Sequence, residues 1–567
     1  MTYRHFKHEG WLYALAFFTA VALRFIQLGA MPLTDVEAAP ALQALHIAQG
    51  LKPALSPHPF YILFTSIFFF LYGGGTDFLA RLIPALIGSL LVFAPLLFTE
   101  RIKPRSSLFL AFFIALDPGL VSLSRQAASP ILAISFLLFA WGFYNQKRLN
   151  LAGIFAAFAL LSGPSIWLGL LGLAITWAIL QGINSLRSAE PSAATPSSFI
   201  LHPSSFIPFV FAFIVAGTLF FIVPNGISAA LASIPAFFVG WVSASDVSAA
   251  RLAFSLAVYQ PLGVILAFIT MFRGWRNNSP RIISLSVWFL VALLLVVFIP
   301  SRQIGDLVWA LIPLWAMASL ELVRNVDIFP EERNEVLGVI FLTTFLWAFT
   351  WLDLSGLVWT PAGTSQYSLR FWLLIGVIFL FVLSLLLVAA GWSIRVAHIG
   401  GVLGLTIVLG LFGLGGTLGS AGFRGLANPE LWWSQPVPLQ ADLLQATVRD
   451  ISEWGVGDDF SAPVVIVGLD SPALEWTLRQ HQVTVVEALD ISSSPDFVIT
   501  PFENDPVLVA AYRGQDFSWR QTPSWDVTLP GDWMRWVTLR EMPQSGETII
   551  LWARDDLFID VPSQPAP

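Results

Sequence analysis

The sequence predicts a polytopic α-helical membrane protein of about 13 transmembrane helices, carrying a small C-terminal extracytoplasmic α/β domain. Three observations lead there. The 567 residues are 56% hydrophobic and 11% charged, against roughly 25% charged in soluble domains. Long apolar stretches recur along most of the chain. Charge is also divided: residues 428–567 hold 21 acids and 7 bases, whereas residues 1–427 hold 15 acids and 22 bases. A basic, apolar part followed by an acidic, hydrophilic part indicates two domains, 1–427 and 428–567. Cysteine is absent, which excludes disulfides and thiolate–metal sites.

The spans follow from apolar length and from the tendency of Lys and Arg to collect in cytoplasmic loops. The first covers about residues 11–29, after Arg4 and Lys7, which places the N-terminus in the cytoplasm. Arg24-Phe-Ile-Gln-Leu-Gly29 is a poor match to a signal-cleavage site, so this span is expected to be retained. Arg24 itself reads as a snorkelling anchor. The run 59–72 has only 14 residues, and the next, 81–99, leads into Arg101, Lys103 and Arg105. If 59–72 crossed, that cluster would lie outside. The run is therefore expected to be a short helix parallel to the membrane, within one external loop over residues 30–80.

Further spans are expected near 106–121, 130–145, 151–163, 165–181, 206–223, 253–272, 282–300, 307–323, 336–352, 371–391 and 399–420. The basic residues Lys147, Arg148, Arg273, Arg276, Arg281, Arg324 and Arg395 then all fall inside. The odd total puts the C-terminal domain outside. Residues 182–205 are low in complexity, with Pro-Ser-Ser-Phe-Ile at 196–200 and again at 203–207, and read as an inside loop without a function. In the tail, 438–454 and 471–480 read as helices, and Val464–Val467, Val483–Val486, Phe497–Thr500 and Thr548–Trp552 as strands of a partly parallel sheet. One glycine after a strand, Gly468, falls short of a dinucleotide fingerprint, so the tail reads as a binding or lid domain.

The chemistry is expected in the external loops. Asp35 and Glu37 stand in Leu28-Gly-Ala-Met-Pro-Leu-Thr-Asp-Val-Glu-Ala-Ala39, where a helix leaves the bilayer. A carboxylate there can take a proton from an attacking hydroxyl; as a plain structural feature the pair would cap a helix over Ala38–Gln49. Arg125, the only charge of the second loop, and Arg302 of a later loop suit bidentate binding of a phosphate leaving group. Otherwise they contact headgroups or neighbouring loops. His58 and Lys52, in the first loop, are the further candidates for substrate or phosphate binding. Their plain readings are a histidine between two prolines and a solvated lysine.

These residues resemble the GT-C membrane glycosyltransferases, and within them the branch of protein O-mannosyltransferases and lipid A aminoarabinose transferases. Arg24-Phe-Ile-Gln-Leu-Gly-Ala-Met-Pro-Leu-Thr-Asp-Val-Glu-Ala38 is similar to the family's first-loop motif. His58-Pro-Phe-Tyr-Ile-Leu63, Phe78-Leu-Ala-Arg-Leu-Ile-Pro-Ala-Leu-Ile-Gly88 and Ser124-Arg-Gln-Ala127 resemble its next elements in order. The match covers roughly residues 20–145. It implies a polyprenyl-phosphate sugar donor, an acceptor glycan, lipid or protein on the outer face, inversion at the sugar, and a first-loop acid as base. Membrane lipids are the other implied partners, and nucleic acid is not among them.

The chain departs from the family at two places. Val36 separates acids that are adjacent in the family, which leaves Asp35 and Glu37 as rival bases. Pro130 stands where the second loop often carries an acid, which puts a divalent metal in doubt and leaves metal ligands unassigned. Two rival readings are a transporter or flippase of lipid-linked glycans, and a catalytically inactive relative acting as a binding or assembly protein. The first would place polar residues near mid-bilayer and show inverted repeats, and no clear internal repeat is visible.

Overall fold

The computed structural model describes residues 6–187, 203–426, 428–433, 435–490, 493–503, 509–526 and 529–558. Most of the low-complexity segment 182–205 lies outside these residues, as does Arg4. The membrane part is a helical bundle. Among the described residues, seven helices are long and apolar enough to cross a membrane, or nine if each of two bent pairs is one span. The expected run 59–72 forms the 14-residue helix Pro59–Tyr72, shorter than a bilayer requires. The weakly separated spans 151–163 and 165–181 are distinct helices, Leu149–Leu160 and Ser165–Arg187. Gly163 in their turn has φ +125°, a conformation that favours glycine.

Two helices break, and both breaks are X-Pro steps, where the residue before proline is pushed out of the helical region. The expected span 106–121 divides into Pro104–Leu116 and Pro118–Ser124, bent by 58° around Asp117, which is extended at φ −64°, ψ 125°. The expected span 253–272 divides into Ala249–Tyr259 and Pro261–Arg276, bent by 92° around Gln260. Such breaks leave backbone groups unpaired, and buried ones need partners. Arg24 supplies them at the first: it donates to Ile114 O (3.1 Å) and Ala115 O (3.2 Å). Its side chain is fully buried, so it is an internal clamp and not the snorkelling anchor expected. Asp117 accepts from the N–H of Leu120 (2.7 Å), from Gln260 Nε2 (3.1 Å) and from Trp315 Nε1 (2.8 Å). One carboxylate thus ties the two breaks to each other and fixes the half-helix that ends at Arg125.

The C-terminal domain is a five-stranded mixed sheet with helices. Its strands are β1 (Val464–Val467), β2 (Val483–Val486), β3 (Phe497–Pro501), β4 (Tyr512–Pro523) and β5 (Gln544–Arg554), in the order β2-β1-β3-β5-β4. β1 pairs parallel with β2 and β3; β5 pairs antiparallel with β3 and β4. Helices Ala441–Val456 and Pro472–Thr477 lie close to the expected positions. β4 was not legible: Arg513, Gly514, Gln515 and Asp516 dilute its strand pattern, although Phe517 and Trp519 are buried. This domain packs on the same end of the bundle as the first loop, through contacts of Asp35 and Asp77 with residues 471–479.

Candidate active site

Thr34, extended at φ −74° and ψ 165°, is the N-cap of the helix Asp35–Ala48. Glu37 stands three residues later, and the Thr34 N–H donates to Glu37 Oε2 (3.1 Å). This is the return half of a capping box. The helix therefore begins three residues before the expected Ala38, and both acids lie inside its first turn.

Glu37 is 2% exposed and faces Arg81, 5% exposed. Arg81 comes from the helix Asp77–Leu90. The pair is bidentate: Arg81 Nε donates to Oε1 and Nη2 to Oε2, both at 2.8 Å. The Ala127 N–H donates to Oε1 at 3.0 Å and Thr34 Oγ1 to Oε2 at 3.1 Å. Burial works against the charged form of Glu37. The charge and hydrogen bonds of Arg81, with the Ala127 and Thr34 donors, outweigh it and hold the carboxyl below the usual range. The remaining donors of Arg81 go to the carbonyls of Leu28, Met31 and Pro32. The first loop is thereby wrapped around this guanidinium.

Arg125 stands at the end of the half-helix Pro118–Ser124 and is 8% exposed. Its Nη1 reaches the carbonyls of Leu23, Arg24 and Ile26, and its Nη2 that of Gln27, at 2.8 to 3.1 Å. It caps the outgoing end of the first helix, Phe6–Phe25. Its guanidinium also lies 5.2 Å from the Phe423 ring centre. Burial, then the like charge of Arg81, lower its pKa to about 10, which leaves it cationic at neutral pH.

Glu37, Arg81 and Arg125 line one cleft of about 410 Å³, its open mouth included, with Thr34, Ser122, Gln126, Ser420 and Trp433. A single carboxylate thus shares the cleft with two guanidinium groups, one of them its ion-pair partner, and with hydroxyl and amide groups. Ser420 and Trp433 come from the junction between the last apolar helix and the C-terminal domain, so both parts of the chain build the cleft.

The other expected residues lie elsewhere. Asp35 points to the C-terminal domain: its Oδ1 accepts from Ser471 Oγ (2.8 Å) and the Ala473 N–H (3.0 Å), and its Oδ2 pairs with Arg520. Arg302 is partly buried and donates to Ile299 O at 3.2 Å; it does not line the cleft. Lys52 is exposed. His58 precedes the helix Pro59–Tyr72, and its ring packs on Gly163 so closely that a Cβ there would come within 2.4 Å of His58 Cδ2. Burial lowers its pKa to about 4, so it is neutral at physiological pH. The residue not singled out from sequence is Arg81. Its signal was present: it is the lone charge between Asp77 and Glu100 in an otherwise apolar run, and ionisable residues in such runs pair with a partner.

A divalent cation does not fit these residues. Among the described residues no three His, Asp or Glu side chains converge, and the cleft's carboxylate is already enclosed by a guanidinium and N–H donors.

No protein-family model matches the chain, and no curated protein matches it. Solved structures do. The crystal structure of ArnT from Cupriavidus metallidurans bound to undecaprenyl phosphate aligns over 87% of this chain and 93% of that one, with TM-score 0.52 and 15% identity. The apo form of the same protein aligns over 96% and 98%, with TM-score 0.52 and 13% identity. An oligosaccharyltransferase from Archaeoglobus fulgidus, solved with Zn and sulfate, aligns over 87% of this chain and 68% of that one, with TM-score 0.40 and 12% identity. The chain has the fold of ArnT.

Proposed function

We propose that the chain is a membrane glycosyltransferase that moves a sugar from a polyprenyl-phosphate donor to an acceptor on the outer face, with inversion. The observation that carries this reading is the cleft that Glu37 lines together with Arg81 and Arg125. It lies in a fold shared with a protein solved bound to undecaprenyl phosphate. In the topology that goes with this reading, the first loop and the C-terminal domain share the outer face, opposite the N-terminus.

Glu37 is the base in this reading. The acceptor oxygen attacks the anomeric carbon, the bond from that carbon to the phosphate oxygen breaks, and polyprenyl phosphate leaves. The acceptor proton passes to Glu37 Oε2, which gives up both its Thr34 donors, the hydroxyl and the N–H, and keeps Arg81 Nη2. A carboxylate held below its usual pKa takes a proton only once the acceptor oxygen is bonding to carbon and has become acidic. The phosphate develops charge beside Arg81 and Arg125, whose positive field is fixed in advance by their main-chain partners.

The test is sugar transfer in membranes carrying Glu37→Gln protein, with a polyprenyl-phosphate sugar as donor. Loss of general-base function costs roughly 100-fold or more in rate. Full transfer by that variant would overturn the assignment.

A further inference from the structure

Asp35 and Asp77 open the two helices that carry the cleft's ion pair. Asp35 is two residues before Glu37, and Asp77 is four residues before Arg81. Neither acid faces the cleft. Both are held by the same short stretch of the C-terminal domain.

The sheet explains how Asp35 is held. β1 lies between β2 and β3 with all three parallel, so the chain leaves β1 toward one side and later returns on the other. Open α/β sheets bind ligands in the crevice at the carboxyl ends of such strands. Here the segment leaving β1 brings Gly468, at φ +68°, and then Ser471 to that crevice. The carboxylate that fills it is the chain's own Asp35, bonded to Ser471 Oγ and the Ala473 N–H. Arg520 closes the site by pairing with Asp35 Oδ2 and donating to Ser471 Oγ at 2.8 Å. It reaches there from β4, whose register shifts between Ser518 and Arg520, a bulge of the kind that re-aims a side chain.

One helical turn on, Trp476 Nε1 donates to Asp77 Oδ1 at 2.6 Å, and Arg479 Nε donates to Gly75 O at 3.0 Å. A Cβ on Gly75 would come within 2.7 Å of the Trp476 ring, so the indole is seated directly on the turn that starts the Arg81 helix.

We infer that the C-terminal domain is a positioning element of the cleft: through Asp35 with Ser471 and Arg520, and through Asp77 with Trp476, it holds the first turns of the two helices that carry Glu37 and Arg81. Asp35, Asp77, Trp476 and Arg520 are then positioning residues. Their effect on lipid binding rests on the function proposed above, whereas the positioning itself does not.

The experiment uses the full-length protein in nanodiscs, as wild type, Arg520→Met, Trp476→Phe and Arg520→Lys. Hydrogen exchange is read at residues 35–40 and 77–83, with amides of β1, β3 and Pro280–Phe298 as folding controls. Binding of undecaprenyl phosphate is measured in parallel. The expected result is at least tenfold faster exchange at residues 35–40 in Arg520→Met and at 77–83 in Trp476→Phe, with unchanged controls. Arg520→Lys should recover most of the protection, and lipid affinity should fall at least fivefold in the first two variants. Unchanged exchange at both turns would overturn the positioning role, as would equal loosening of the controls. Wild type that fails to bind the lipid would instead overturn the functional reading, and exchange alone would then decide the positioning role.

Discussion

Glu37 and Arg81 meet as two parallel hydrogen bonds of 2.8 Å, carboxylate edge to guanidinium edge, with both side chains buried. Forty-four residues of sequence separate them. The geometry is the fork that Arg makes best with a carboxylate, and the stability of the first loop depends on both partners being present.

Removing one partner leaves a buried charge unpaired. Arg81→Met is expected to destabilise the protein by about 3–5 kcal/mol. The double change Glu37→Gln/Arg81→Met removes both charges and should restore much of the loss, yet remain inactive in sugar transfer. Thermal unfolding in detergent separates the two effects. A double variant as unstable as Arg81→Met would show that the ion pair is not the source of the loss.

Arg125 satisfies four carbonyls at the end of the first helix. A lysine ammonium is a single point and cannot span Leu23 to Gln27. Arg125→Lys is therefore expected to lower stability by about 1–3 kcal/mol, the range for losing hydrogen bonds to a charged group. An unchanged melting temperature would contradict this role.

Asp117 accepts donors from Leu120, Gln260 and Trp315. Asp117→Asn keeps the shape but turns one of the two acceptor oxygens into an NH2 group, so at least one of the three donors loses its acceptor. The loss should be about 1–3 kcal/mol per buried group left unpaired. A melting temperature within a degree of wild type would rule out the link between the two helix breaks.

His58 makes stability depend on pH. Burial lowers its pKa from 6.5 to about 4, so between these values the unfolded chain binds a proton that the folded chain does not. The stabilisation is full above pH 6.5 and is lost as pH falls toward 4, by up to about 3 kcal/mol. Melting temperatures between pH 4 and 7 should fall more steeply for wild type than for His58→Gln. Parallel curves would refute the assignment.

Much of the architecture was legible because hydropathy and helix-breaking prolines act locally. The apolar runs, the short helix at residues 59–72 and strands β1, β2 and β3 needed only their own residues to be recognised. Arg24 was misread because a lone arginine near a span end looks the same whether it snorkels or caps. Only the break at Asp117, fixed by packing, exposed the carbonyls of Ile114 and Ala115 that it serves.

By itself the sequence determined an apolar helical bundle, a polar α/β tail, and two acids and an arginine in the loops that follow apolar runs. Tertiary structure decided how those acids divide. Residues two apart on a helix point about 200° away from each other. Glu37 therefore turns inward to Arg81 while Asp35 turns toward Arg520, 485 residues away in the chain. Spacing could show that two carboxylates share a turn. Which partner each one meets depends on which helix and which domain close over each face, and that is set by packing across the whole chain.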